Sequence, residues 1–471
     1  MEAEGKKKKK FKIKAPDALL LIVALLIFCT ILTYIVPTGQ YDRFENPETG
    51  VMMVDPDTYH RVPRNPVSFG EMLMAIPQGM TDSASIIMFL FIIGGAFGVI
   101  TKTGVLDALI GNTVKTLDGK ERLVIPFILI FWALAGSYLG CSEECLAFIP
   151  IQIMLCLALG FDSIVASALG MVGVTIGYMG AQMNAFTIAI AQDIAGLPTF
   201  SGIGFRFCLW AILVISAIIY IWIYAGKIKK DPTKSPMYEE DLKSPYRNTD
   251  MKPTKLTARH KGVLAVFVGG VIFLIFGVIN YGFYLDEMGA VFIFIAAASG
   301  IIGGLGLNGT VDSFIDGAHN LLYACICVGF ARALTIVMTN GLMLDAVVHA
   351  ITSLLMDVPH IVKAPFMFLT QALINIIMPS GSGQAVVTMP IMVPIADVLG
   401  ITRQTAVLCF QLGDGLTNFV TPTSGELMAG IAIAGISWNK WVKWYWKLIV
   451  VFIIISLVAT MVAAGTGYGP F

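Results

Sequence analysis

The chain has 471 residues, of which 56% are hydrophobic and 13% charged, with a mean hydropathy of +0.80 and no net charge. Those values exclude a string of soluble domains and point to a polytopic membrane protein. No basic excess exists that would suit a nucleic-acid partner; the expected partners are the lipid bilayer and a small-molecule substrate.

Charge is distributed unevenly along the chain. Lys6–Lys10, Lys12 and Lys14 crowd the N-terminus, and residues 227–261 hold ten Lys/Arg against five acids. Residues 37–83 hold three Arg against seven acids. The positive-inside rule makes the first two cytoplasmic and leaves the third outside. Ala18–Val36 follows the basic start. It is long for a signal-peptide core and no small-x-small cleavage site follows it, so a retained first span is expected. All eight cysteines lie in apolar stretches, which argues for packing rather than disulfides or a metal.

In chain order, runs of spanning length are Ala18–Val36, Ala84–Ile100, Ile203–Ala225, Val263–Tyr281, Met288–Leu305, Leu321–Met338 and Trp441–Ala463. Val105–Leu117 and Leu342–Leu355 are amphipathic and read as interfacial. Four blocks do not fit simple spans: Leu123–Ala158, Ser163–Ala195, Pro365–Ala396 and Gln404–Gly435. In the third, apolar arms of about a dozen residues flank a small polar tip, Pro379-Ser380-Gly381-Ser382-Gly383-Gln384. An arm of that length reaches ~18–20 Å as a helix, against a hydrocarbon core of ~30 Å. A re-entrant hairpin follows, tolerated only where protein or water surrounds the tip.

The first and third blocks match at Pro126-Phe127 with Pro365-Phe366, Pro150-Ile151 with Pro390-Ile391, and Leu159-Gly160 with Leu399-Gly400. The register continues through Ala166 with Ala406 and Gly173 with Gly413. Counting crossings from a cytoplasmic N-terminus sets the two hairpins entering from opposite faces, an inverted repeat of the kind found in secondary transporters. The expected fold is all-α and polytopic, with about nine transmembrane crossings plus two re-entrant helical hairpins in two inverted-topology repeats. The C-terminus then lies outside. The organisation is a basic tail (1–14), a first span (15–37), an external segment (38–83), a first repeat (84–226), a basic linker (227–262), two connecting helices (263–306) and a second repeat (319–465). Within the repeats lie hairpins 123–158 and 365–396 and broken helices 163–195 and 404–436.

The broken helices are interrupted at Gly177–Asn184 and Thr417–Glu426. Pro422 lacks an N–H, glycines weaken helix, and Thr421, Thr423 and Ser424 can cap a restart. Two tips and two breaks bring several helix N-termini to the midplane, suited to a carboxylate, with Ser, Thr and Asn oxygens suited to an ammonium or Na⁺. Gly94/Gly98 and Gly173/Gly177 read as close-packing motifs instead. The first tip, Ser137–Cys145, carries Glu143 and Glu144, and Glu426 lies at the second break. A charge at membrane centre costs ~2.5–3.5 kcal/mol on insertion scales, so three carboxylates need a reason: a cationic substrate, a proton, or a structural partner such as Arg332 or His319. Lys102 and Arg206 read as snorkelling span ends. The candidate substrate-binding residues are Ser142, Glu143, Glu144, Asn184, Ser380, Gly381, Ser382, Gly383, Gln384, Asn418, Thr421, Thr423, Ser424 and Glu426. No cofactor is expected beyond a coupling H⁺ or Na⁺.

Pro379–Ala385 running into Met389–Pro394, Asn418 with Thr421–Gly425, and Gly140–Glu144 together resemble the YfcC-like branch of the C4-dicarboxylate anaerobic carrier family, over nearly the whole chain. The resemblance implies an ion-transporter-superfamily scaffold with paired hairpins, a homodimer, an elevator-like motion and a cytoplasmic-membrane location. It implies either dicarboxylates or basic amino acids of the arginine/ornithine kind as substrate, and the acidic first tip favours the latter. An intramembrane enzyme is disfavoured: no His-Glu-x-x-His, Gly-x-Ser-x-Gly or Cys/His constellation is present.

Overall fold

The computed structural model describes residues 18–45, 52–55, 58–117, 119–247, 256–281, 283, 285–353 and 362–469; the basic tail at 1–14 and part of the linker lie outside the described residues. The protein is an all-helical polytopic membrane protein. Each expected span is a helix: Ala18–Ile35, Ala84–Lys102, Ile203–Lys230, Ala258–Tyr281, Leu285–Gly303, Leu322–Asn340 and Trp438–Thr466. The amphipathic pieces form Val105–Thr116 and Leu344–Ser353. The segment between the first two spans adds two small antiparallel ladders, Gly39–Gln40 with His60–Arg61 and Arg43–Glu45 with Met52–Val54.

The hairpins differ from expectation in length. The first arm of hairpin one is helical from Glu121 to Leu139, and the second arm of hairpin two from Gly381 to Leu399, each 19 residues. At ~1.5 Å per residue these reach about 28 Å, so arm length is not what defines the hairpins. A π turn at Ala135–Leu139 extends the former. The latter passes through Pro390 and Pro394, whose spacing of four sets the missing Pro394 N–H against the Pro390 carbonyl. The short tips define the hairpins: Gly140–Glu143 in the first and Met378–Ser380 in the second.

Within each repeat the two arms pack on the broken helix more than on each other. Helices 121–139 and 144–158 straddle Ser163–Met179, and Lys363–Ile377 and Gly381–Leu399 straddle Arg403–Thr417. The two broken helices also pack together, which joins the repeats at their centre. Asp162, Thr402 and Ser424 cap helix starts here by accepting from the backbone N–H three residues on.

Two further helices were not expected from hydropathy. Phe69–Asp82, opened by a Ser68/Glu71 capping box, packs on Leu322–Asn340. Gly306–His319 packs on Ala84–Lys102. Both have 14 residues, each immediately precedes a span of its own repeat, and each packs on the equivalent span of the other repeat. They bury small residues instead of a long apolar run, so a spanning-length scan passes over them. A methyl on Gly79 would stand 2.4 Å from Gly329 O, and one on Gly98 2.3 Å from Ser313 O. Gly94 and Gly177 are similarly close to the backbone of Gly317 and Ala133, so these glycines are close-packing positions.

Overpacking such a contact costs typically ~1–3 kcal/mol. Gly79→Ala and Gly98→Ala should each lower the thermal unfolding midpoint of the detergent-solubilised protein. Gly269→Ala, mid-helix with nothing within 4 Å of the new methyl, should not lower it.

Candidate functional site

Four helix starts converge where the tips meet the breaks. The first arm of hairpin one ends at Gly140, whose φ of 71° is left-handed and whose Cα faces the Phe186 ring so closely that a Cβ would lie 2.5 Å away. The chain restarts as Glu144–Ala158, and Glu144 Oε2 accepts from Ser142 N at 2.7 Å. In the first break, Asn184 Oδ1 accepts from Phe186 N at 2.8 Å and Thr187 N at 3.2 Å, capping the segment from Ala185 to Ile194. Ser380 caps Gly381–Leu399 by accepting from Gly383 N at 3.3 Å, and Ser424 caps Gly425–Ile433 by accepting from Leu427 N at 3.3 Å.

The end of each hairpin's first arm, just before the tip, is hydrogen-bonded to the break of its own repeat. Asn184 Nδ2 donates to Gly136 O at 3.0 Å and Met183 N to Ser137 O at 3.1 Å; the Ser137 hydroxyl also meets the Gln182 side chain. In the second repeat Thr423 Oγ1 donates to Ile376 O at 2.6 Å, and Asn375 Nδ2 reaches Thr417 Oγ1 and Asn418 Oδ1, both at 2.7 Å. Each tip also touches the other repeat's restart. Ser142 Oγ donates to Glu426 Oε2 at 2.5 Å, and Gly381 lies against Thr187.

These contacts enclose a cavity of about 310 Å³ lined by Ser142, Glu143, Ser380, Gly381, Ser382, Asn418, Thr423, Ser424 and Glu426. That volume lies at the small end of ligand pockets, which run from ~300 to ~1,000 Å³. Glu143 and Glu426, one from each repeat, both line this cavity, and Ser142, beside Glu143 in the first tip, donates to Glu426. Two carboxylates in the wall of one small cavity repel each other unless one is protonated or a cation lies between them.

Five of the sequence-derived candidates stand elsewhere. Glu144, the neighbour of Glu143, closes the turn at Ser142 and lines a second, apolar cavity of about 320 Å³ with Phe131, Trp132 and Phe148. Asn184 is fully buried as a cap. Gly383 N is spent on the Ser380 cap, and Gln384 Nε2 donates inside the hairpin to the Gln371 backbone and side-chain oxygens at 2.9 and 2.6 Å. Thr421 Oγ1 is bonded to Thr423 Oγ1 at 2.7 Å.

Other residues complete the cavity wall. Asp82 and Ser83 come from the junction of Phe69–Asp82 with the next span, Arg332 and Thr335 from Leu322–Asn340, and Tyr178 and Thr187 from the first broken helix. Arg332 pairs with Asp82 at 3.7 Å, both nearly half exposed. That answers one expectation: Arg332 faces an aspartate at the cavity wall and not a tip glutamate. Arg206 is also corrected. It does not snorkel but is 1% exposed, its Nε donating to Ala181 O at 2.8 Å and Nη2 to Gln182 O at 3.2 Å, so it satisfies carbonyls that the first break leaves without helical partners. Among the described residues no group of three His, Cys, Asp or Glu is arranged to hold a metal ion.

A family model described as the C4-dicarboxylate anaerobic carrier matches residues 15–465. The chain belongs to the C4-dicarboxylate anaerobic carrier family. YfcC of Escherichia coli (strain K12), whose name provisionally describes a basic amino acid antiporter, is 32% identical over 96% of this chain and 97% of its own. An uncharacterised protein of Haemophilus influenzae (strain ATCC 51907 / DSM 11121 / KW20 / Rd) is 28% identical over 97% and 98% respectively. Among solved structures, the Alcanivorax borkumensis YdaH transporter is 15% identical at a TM-score of 0.42, covering 97% of this chain and 100% of that one. Neisseria gonorrhoeae MtrF, of a class of antimetabolite efflux pumps, is 17% identical at the same TM-score of 0.42 and covers 98% of both chains. A likeness that weak bears no weight for the site. As a member of this carrier family the chain is a membrane transporter and not an enzyme.

Removing a helix cap costs ~0.5–2 kcal/mol, and Asn184 also ties the first hairpin to the first break. Asn184→Ala should therefore lower the thermal midpoint of the purified protein. Ser382→Ala, at an exposed position on the cavity wall, should not.

Proposed function

We propose that this carrier-family member moves amino acids by alternating access, exchanging basic amino acids of the arginine/ornithine kind. The observation that carries the reading is the presence of Glu143 and Glu426 in the wall of one cavity, one carboxyl from each repeat. A guanidinium or side-chain ammonium between them supplies the positive charge that two carboxylates in one cavity wall require. The substrate α-carboxylate has two kinds of partner within the same wall: the capped helix starts at Ser380 and Ser424, and the Arg332 guanidinium. The substrate-binding set is then Ser142, Glu143, Ser380, Gly381, Ser382, Asn418, Thr423, Ser424 and Glu426. Glu144, Asn184, Gly383, Gln384 and Thr421 hold that set in place.

The name of YfcC supports the choice of basic amino acids. The family description and the Arg332 charge instead favour a C4-dicarboxylate, which the Glu pair admits only when it carries a proton. The reading has the chain in the cytoplasmic membrane with the basic linker and N-terminus inside and the C-terminus outside, working as a homodimer.

The test is uptake into proteoliposomes preloaded with ornithine, arginine or succinate. External labelled arginine should exchange against internal ornithine or arginine and not against succinate. Glu143→Gln and Glu426→Gln should each cut arginine exchange by about tenfold or more, the scale of losing one partner of a desolvated charge pair, whereas Glu144→Gln should retain most of it. Exchange of succinate with no exchange of arginine would establish the carboxylate reading instead.

A further inference from the structure

Behind the cavity wall lies a group of buried oxygens that the substrate reading leaves unused. Asp414, in the second broken helix, is 1% exposed, and its Oδ2 has no hydrogen-bond partner. It does not line the cavity, but it lies against a residue that does: a methyl on Gly381 would sit 3.1 Å from Asp414 Oδ2 and 2.6 Å from Thr187 Cγ2. Thr187 is 1% exposed, and its Oγ1 is also without a partner. Asn375 is fully buried and commits its Nδ2 to Asp414 O at 2.8 Å, Thr417 Oγ1 and Asn418 Oδ1. Its Oδ1, turned the other way, is unpartnered.

A buried polar atom without a partner is costly, and three on residues that touch Gly381 or bond to Asp414 call for a common cause. We propose that Asp414, Thr187 and Asn375 form a Na⁺ site between the second tip and the first break. The donors are hard oxygens with a single negative charge, which suits a small monovalent cation better than a transition metal. A proton on Asp414 would make its Oδ2 a donor to one acceptor and so satisfy at most one of Thr187 Oγ1 and Asn375 Oδ1; a cation serves all three at once. Gly381, lacking a side chain, leaves room beside Asp414 and brings its backbone to the same point.

The site joins the repeats, because Thr187 belongs to the first and Asp414, Asn375 and Gly381 to the second. Bound Na⁺ therefore fixes the second tip, and with it Ser380 and Ser382, before substrate arrives. It uses neither Glu143 nor Glu426 as a ligand, so the site stands whichever substrate the cavity takes.

The experiment is thermal unfolding of the purified full-length protein against Na⁺, with choline replacing Na⁺ at constant ionic strength and pH and with no substrate present. The midpoint of the unsubstituted protein should rise saturably with Na⁺, as binding to the folded state requires, and should not rise with K⁺. Asp414→Asn should abolish the rise. Thr187→Val keeps the shape and the charge balance but loses one ligand oxygen, and should weaken apparent Na⁺ affinity about tenfold, the scale of one lost polar contact. No Na⁺ dependence in the unsubstituted protein, or an unaltered dependence in both variants, would overturn the proposal. Because the readout contains no substrate, its failure leaves the exchange reading untouched, and failure of exchange leaves this one untouched.

Discussion

In hydrocarbon, a backbone N–H or C=O without a partner costs several kcal/mol, so a helix can break at membrane depth only where protein or water takes over its hydrogen bonds. This chain breaks helices at four places and meets that condition each time with side chains close in sequence. Asn184, Ser380 and Ser424 each cap the helix that follows, and Glu144 folds back onto Ser142 N. The Arg206 guanidinium takes the carbonyls of Ala181 and Gln182. Once the four ends are satisfied they can be held together, because each hairpin bonds its own break and touches the other repeat's restart. The cavity is the space left where those ends meet.

Most of the architecture was legible because it obeys local rules. Spans show as unbroken apolar runs, and breaks as Gly, Pro and capping residues such as Thr421–Gly425 in an otherwise apolar block. Two 14-residue helices, Phe69–Asp82 and Gly306–His319, were not legible by that signal. Their buried faces are mostly small (Ala75 and Gly79 beside Met72, Ser313 and Gly317), and their partner surfaces lie in the other repeat. The extra length of the hairpin arms was hidden by residues usually taken as loop: Gly136 within a π turn, and Gly381–Gln384, read as tip, in the first turn of a helix.

The site divides in a similar way. Residue types and approximate places were readable, but the side each residue presents was not. Glu143 and Glu144 are adjacent, and a helical step of about 100° is enough to send one into the polar cavity and the other to the apolar one. Arg206 looked like a span-end cation because its partners, the carbonyls at Ala181 and Gln182, are set by the fold of a different segment. By sequence alone Asp414 is one acid in an apolar block, and its significance comes from Thr187 and Asn375, which sequence separation keeps apart from it.

The chemistry and the topology meet in one claim: a single cavity, built from both repeats, that each face of the membrane reaches in turn. The most direct measurement is side-specific labelling of Ser382→Cys, in a background without the native cysteines, by a membrane-impermeant thiol reagent applied to oriented vesicles. The account predicts modification from either face, and protection on both by the transported substrate. Modification from one face only, under every substrate and ion condition, would contradict it.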